Sequence, residues 1–208
     1  MRLSKQRGFS LLELVLTVSL ALIMCAVTFI SMRPMLNAMH VDSAYSTTLM
    51  ALRNTRSLAI AQSNEYYVYF NPAGFAAGTI EVVVQPYSNG VAQPQSEVAA
   101  YTLPSDVSFA VQTGFPNTTA GTPDGFGTAA NAIEFGEGLA GAPFNYLVFY
   151  PDGSSQDGQG NYNSGIVYLT RTGDTLSNSR AVTVWGATGR VRGWRLVQSK
   201  GVWEWVQQ

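Results

Sequence analysis

Few residues in this chain are of a type that does covalent or acid–base chemistry. Cys25 is the single thiol and His40 the single imidazole among 208 residues. One Cys excludes an internal disulfide and a thiolate metal cluster, and one His excludes a multi-histidine metal site. His40 falls on a predicted helix, where a lone His reads as a surface or packing residue. Cys25 falls in an apolar run, where a thiol behaves as a small hydrophobe. Glu134 and Glu137 straddle a Gly-rich turn, and their spacing could suit an acid–base pair or calcium ligation. Only Asp124 offers a third carboxylate, and no D-x-D-x-D-G loop is present. The glycines sit singly at strand ends, so no phosphate-cradling loop exists either. The chain reads as a non-enzyme that needs no cofactor and no metal.

Two groups remain. Glu13 lies in an apolar run beginning at Phe9. A carboxylate costs about 2.5–3.5 kcal/mol at the centre of a membrane helix and less near its end, so it implies a function. Arg190, Arg192 and Arg195 cluster near the C-terminus among Trp194, Trp203 and Trp205. Arg190 and Arg192 alternate along a predicted strand and so share a face, which Trp194 continues. Arginines can neutralise phosphates and aromatic rings can stack on bases. The same residues can equally cap the end of a sandwich.

The charge pattern says what must position these groups. Overall the balance is 12 basic to 13 acidic residues, a net charge of −1, which excludes a bulk polyanion binder. Charged residues are 12% of the chain, about half the usual share. Residues 1–8 hold Arg2, Lys5 and Arg7 and no acid, and 14–30 carry no charge. A basic leader before some 20 apolar residues predicts a membrane helix with a cytoplasmic N-terminus. A cleaved secretory signal fits less well, because the run is long and no A-x-A site follows. A lipoprotein signal at Cys25 would place the large Met24 where a small residue belongs. A plain anchor leaves Glu13 unexplained. From 171 to the end, six basic residues face Asp174 and Glu204, whereas 9–170 hold three basic residues against eleven acids.

Arg7-Gly8-Phe9-Ser10-Leu11-Leu12-Glu13-Leu14 resembles the class III leader of type IV prepilins and type II secretion pseudopilins. The resemblance implies a prepilin peptidase that cuts between Gly8 and Phe9 and N-methylates Phe9. Glu13 then becomes the fifth residue of the mature chain and an assembly residue. Such a Glu can meet the α-amine of a neighbouring subunit's Phe9, offsetting the burial of both charges and fixing register.

Past Pro34, the positions Met35, Leu36, Met39, Val41, Tyr45, Leu49, Leu52, Leu58 and Ala59 predict an amphipathic helix. Pro34 is expected to kink or loosen it. The segments 65–70, 78–85, 98–103, 107–111, 131–135, 145–150, 165–170, 180–185, 189–197 and 202–206 read as strands. Residues 113–130 read as a mobile surface loop. The expected organisation is a leader (1–8), a transmembrane helix (9–33), an amphipathic helix (34–63) and a β-rich domain (64–208).

Phe149-Tyr150-Pro151-Asp152-Gly153-Ser154, and Ala181-Val182-Thr183-Val184 with Gly189-Arg190-Val191-Arg192, resemble the GspH/FimT group of minor pseudopilins and minor pilins. That resemblance implies an α+β fold, with a long N-terminal helix packed on an antiparallel β-sandwich of two sheets. It implies a minor pseudopilin of the type II secretion system, a structural component of a periplasmic pseudopilus that helps export folded proteins. The partners would be other pilins or pseudopilins, the inner membrane and secreted cargo. An alternative is a FimT-like minor pilin of a type IV pilus, involved in pilus assembly or in DNA binding and uptake through the Arg190–Arg192 pair, with Arg195 as a further candidate DNA contact. A third is a plain anchored periplasmic domain. In each case the C-terminal domain is expected in the periplasm of a bacterium.

Overall fold

The computed structural model describes residues 10–88, 90–171 and 173–208. They fall into two units that divide between Ala38 and Met39. Helix α1 (Leu11–Gln62) contributes to both. In the first unit, the 19 residues Leu11–Phe29 are long and apolar enough to cross a membrane, and none is buried within the chain. The hydroxyls in this stretch donate back to their own helix: Thr17 to Leu14 O (2.9 Å), Ser19 to Val15 O (2.7 Å) and Thr28 to Met24 O (2.8 Å). Self-satisfied hydroxyls are what a helix needs where no water is available.

The second unit is a sandwich of two antiparallel sheets against the remainder of α1. Its strands are β1 (Glu65–Phe70), β2 (Thr79–Gln85), β3 (Tyr87–Ser88), β4 (Val91–Ala92), β5 (Ser96–Thr102), β6 (Val107–Phe109), β7 (Ile133–Phe135), β8 (Tyr146–Phe149), β9 (Ser155–Gln156), β10 (Gly165–Arg171), β11 (Arg180–Trp185), β12 (Arg190–Ser199) and β13 (Val202–Gln207). The first sheet runs β5-β2-β1-β8-β9 and the second β13-β12-β11-β10-β6, with β7 also on β10. The expected α+β architecture is therefore present, and the ten expected strands are all found. The two-residue strands β3, β4 and β9 were not foreseen, because so short a pairing carries no periodic signal.

Alternation sets the core. Tyr66, Val68 and Phe70 point inward from β1. Val167 and Leu169 of β10 and Val182 and Val184 of β11 join the same core. Phe70 meets Phe109 edge-on at 5.5 Å and stacks on Phe135 at 5.4 Å. The face that α1 buries is narrower than its large apolar residues suggest. Val41, Ala44, Thr48, Ala51, Leu52, Thr55 and Ala59 are buried, while Met35, Leu36 and Met39 are exposed. Small side chains let the helix lie close to the sheets. Thr48 and Thr55 keep their buried hydroxyls satisfied on Ala44 O (2.9 Å) and Ala51 O (2.7 Å).

Residues 113–130 differ from expectation. Instead of standing free, they roof the outer face of the second sheet. Phe115 packs on Tyr168 (5.4 Å) and Trp205 (5.3 Å), with Ile166, Ala181 and Leu196 beneath and Phe126 beside them. Strands β10 and β11 are thus buried on both faces, with all but the last residue of each buried. Burial of Phe115, worth roughly 2 kcal/mol, with Phe126 and Ala129 packed against the same cluster, holds this turn-rich segment down.

Candidate functional site

Gly8 and Phe9 lie outside the described residues. Glu13 occupies the first turn of α1, where the helix dipole favours a carboxylate. Its side chain is exposed on the apolar surface, and no partner for it occurs within the chain among the described residues. A carboxylate so placed can accept a cationic hydrogen bond from a second molecule.

The C-terminal arginines divide by face. Val191 and Gly193 of β12 look toward α1, since Val191 joins the core and Gly193 lies under the Tyr45 ring. Arg190, Arg192 and Trp194 therefore share the outer face, and Arg195 lies on the helix side. Arg192 is half-buried and already paired. Its guanidinium pairs with the Asp124 carboxylate, which is 3% exposed, and sits 5.8 Å from the Trp185 ring centre. Thr183 Oγ1 donates to Asp124 (2.5 Å), and Trp194 Nε1 donates to Thr183 Oγ1 (3.0 Å). Asp124 belongs to the turn Pro123–Gly125 within the roof. The Arg192–Asp124 pair thus fastens the roof to β11 and β12. Arg190, Arg195 and Lys200 are exposed.

Sequence reasoning missed Arg56. From the buried side of α1 it donates Nε to Gly153 O and Nη2 to Thr188 O, both at 3.0 Å. It joins the Pro151-Asp152-Gly153 turn to the Gly189-Arg190 turn, so the two C-terminal motifs form one structure. Gly189 has φ +59, and a Cβ there would overlap Gly153 O and come 2.8 Å from Arg56 Nε. The Asp152 carboxylate accepts from the Ser154 hydroxyl (2.6 Å) and amide (2.8 Å), which holds its carboxyl below the usual range. The available signal was that Arg53 and Arg56 are the cations of the predicted amphipathic helix past Pro34.

Two further pairs tie α1 to the second sheet. The buried Arg180 donates Nε and Nη2 to Asp42 Oδ1 (3.0 and 2.7 Å) and Nη1 to Ser179 O (3.0 Å). Asp106 accepts from Arg171 Nε (2.7 Å) and lies 2.9 Å from His40 Nδ1. These two partners, Arg171 first, lower the Asp106 pKa. Glu134 and Glu137 are turn anchors. Glu134 accepts from the Thr128 and Asn131 amides (2.5 and 2.8 Å) and the Thr128 hydroxyl (3.0 Å), and Glu137 accepts from the Gly127 amide (3.1 Å). Among the described residues no group of three His, Cys, Asp or Glu side chains could hold a metal ion.

The family model for the prokaryotic N-terminal methylation motif matches residues 3–29. That motif supports a type IV pilin-like protein whose leader is processed by a prepilin peptidase, and Leu11–Phe29 fits the membrane anchor of such a protein. No curated protein and no solved structure matches the chain.

Proposed function

We propose that this protein is a structural subunit of a pilin-like filament, specifically a minor pseudopilin of the type II secretion system. The observation that carries the proposal is the methylation motif over 3–29, joined to an apolar helix bearing Glu13 and then to a β-sandwich. In this reading the peptidase cuts after Gly8, and the α-amine of Phe9, with an ordinary pKa of about 7.7–8, is freed. The helix then packs beside the helices of neighbouring subunits, and Glu13 pairs with the Phe9 amine of one of them. The domain stays on the periplasmic side, where its exposed surfaces meet other subunits or cargo. No catalytic step belongs to the chain.

The test has two parts. Mass spectrometry of the protein from cells that contain the peptidase should find a chain starting at N-methylated Phe9; a chain still starting at Met1 contradicts the reading. Glu13→Ala should then abolish co-assembly with partner pilins while leaving membrane insertion intact. Wild-type incorporation of that variant would support a plain anchored domain instead. The FimT-like alternative draws on the exposed Arg190 and Arg195. It is weakened because Arg192 is already paired with Asp124 and because Arg195 lies on the opposite face. A deletion strain scored for exoprotein export and for DNA uptake separates the two machines.

A further inference from the structure

Between Ser57 and Thr170 the sequence contains no Lys or Arg and nine acids. All five strands of the first sheet come from this stretch, whereas β10–β12 of the second sheet carry cations. The two sheets also differ in how their outer faces are finished. The second is roofed by 113–130. The first has tyrosines in place of a roof. Tyr67 and Tyr69 of β1 point outward, opposite the core residues Tyr66, Val68 and Phe70. Their rings are 6.1 Å apart and nearly parallel, and Tyr69 is 5.7 Å from Tyr146 of β8. These rings are half-exposed, and beneath them Val83 and Val148 are buried. Glu81 of β2 sits across from Tyr69 in the ladder, and Glu65 lies two residues before Tyr67 on the same face. Burial pushes the Tyr67 and Tyr69 phenols above their ordinary value. Those two rings therefore stay neutral while the carboxylates beside them supply negative charge.

We infer that this outer face docks an arginine-bearing segment of a partner protein. A guanidinium is attracted to the face of a Tyr ring and can stack on it. It also forks onto a carboxylate, which a lysine ammonium cannot do. Glu81 lies across from Tyr69, and Glu65, which accepts a hydrogen bond from the Tyr87 hydroxyl and keeps its charge, lies beside Tyr67, so one arginine can meet a ring and a carboxylate together. No cation of the first sheet competes for either. A neutral sugar could use the rings but would leave the carboxylate field uncompensated, and an anionic partner would be repelled. The inference goes beyond the filament reading and does not depend on it.

The test uses the full chain in detergent micelles and fluorescence anisotropy of a labelled peptide with three arginines spaced by Gly and Ser. Matched peptides carry Lys or Gln in place of Arg, and a neutral oligosaccharide serves as a fourth probe. The Arg peptide should bind more tightly than the Lys peptide, and the Gln peptide should not bind. Glu65→Gln with Glu81→Gln should weaken Arg-peptide binding about tenfold. Tyr69→Ala should do the same, and Arg190→Gln on the other sheet should change nothing. The carboxylate variant is isosteric, so the test survives a misfolded Tyr69→Ala. Equal binding of the Arg and Lys peptides, or indifference to the carboxylate variant, overturns the inference. So does oligosaccharide binding without peptide binding.

Discussion

Replacing Gly193 by Ala tests how α1 is set against the second sheet. Gly193 sits in β12 directly under Tyr45 of α1. A Cβ at 193 would overlap the Tyr45 hydroxyl and lie 2.5 Å from Cζ and 2.7 Å from Cε2. Ordinary carbon contacts begin near 3.5 Å, so the ring or the helix must shift by about an ångström. Overpacking of this kind costs about 1–3 kcal/mol. For a unit the size of Met39–Gln208 each kcal/mol is worth roughly 2–4 °C in Tm. Gly193→Ala should therefore lower the thermal midpoint of the detergent-solubilised chain by about 2–12 °C. Tyr45→Ala removes the obstructing ring, so the double variant should be less destabilised than the sum of the singles by about 1 kcal/mol or more. A coupling below about 0.5 kcal/mol, within ordinary additivity, would refute the claim that this glycine exists to admit the tyrosine.

Asp124→Asn removes the carboxylate that buckles the roof and leaves the Arg192 charge without its partner; the expected cost is about 2 kcal/mol, read by denaturant unfolding, with faster amide exchange across 113–130. Arg192→Gln should have a similar effect, and an unchanged exchange pattern in both would show that the pair does not hold the roof. Asp106 and Asp152 have pKa values lowered in the folded chain, as does Asp157, whose carboxylate accepts from the Asn161 side-chain amide (2.9 Å). Their stabilisation is complete above the ordinary carboxylate pKa of about 3.9 and is lost as pH falls through the lower folded values. Thermal stability should hold near pH 5 and fall below about pH 4, and Arg171→Gln should flatten that acid limb by removing the main cause of the Asp106 shift. Glu13→Gln keeps the shape of the side chain without its charge, so co-assembly should fail as it does for Glu13→Ala; normal co-assembly of the Gln variant would mean that shape, not charge, matters there.

The exposed and the enclosed arginines explain why the C-terminal motif was hard to interpret from spacing alone. Alternation along β12 correctly places Arg190 and Arg192 on one face. It says nothing about what covers that face. Asp124, 68 residues earlier in the chain, reaches Arg192 because the roof carries it there. Arg56 is a similar case, since its two carbonyl acceptors lie 97 and 132 residues away.

Local chemistry written in short stretches was enough to determine the basic leader, the apolar helix with its carboxylate, the strand positions and the turns at Gly153 and Gly189. Each depends on neighbours within a few residues: on hydropathy over one helix, on period-two alternation, or on a positive φ that glycine tolerates. Tertiary structure alone decided which small residues of α1 are buried, that 113–130 is a roof, that Arg192 is paired while Arg190 is exposed, and that one sheet keeps a tyrosine face in the open. Those outcomes depend on which distant segments come together, and a contact between residues far apart in the chain leaves no periodic trace in either of them.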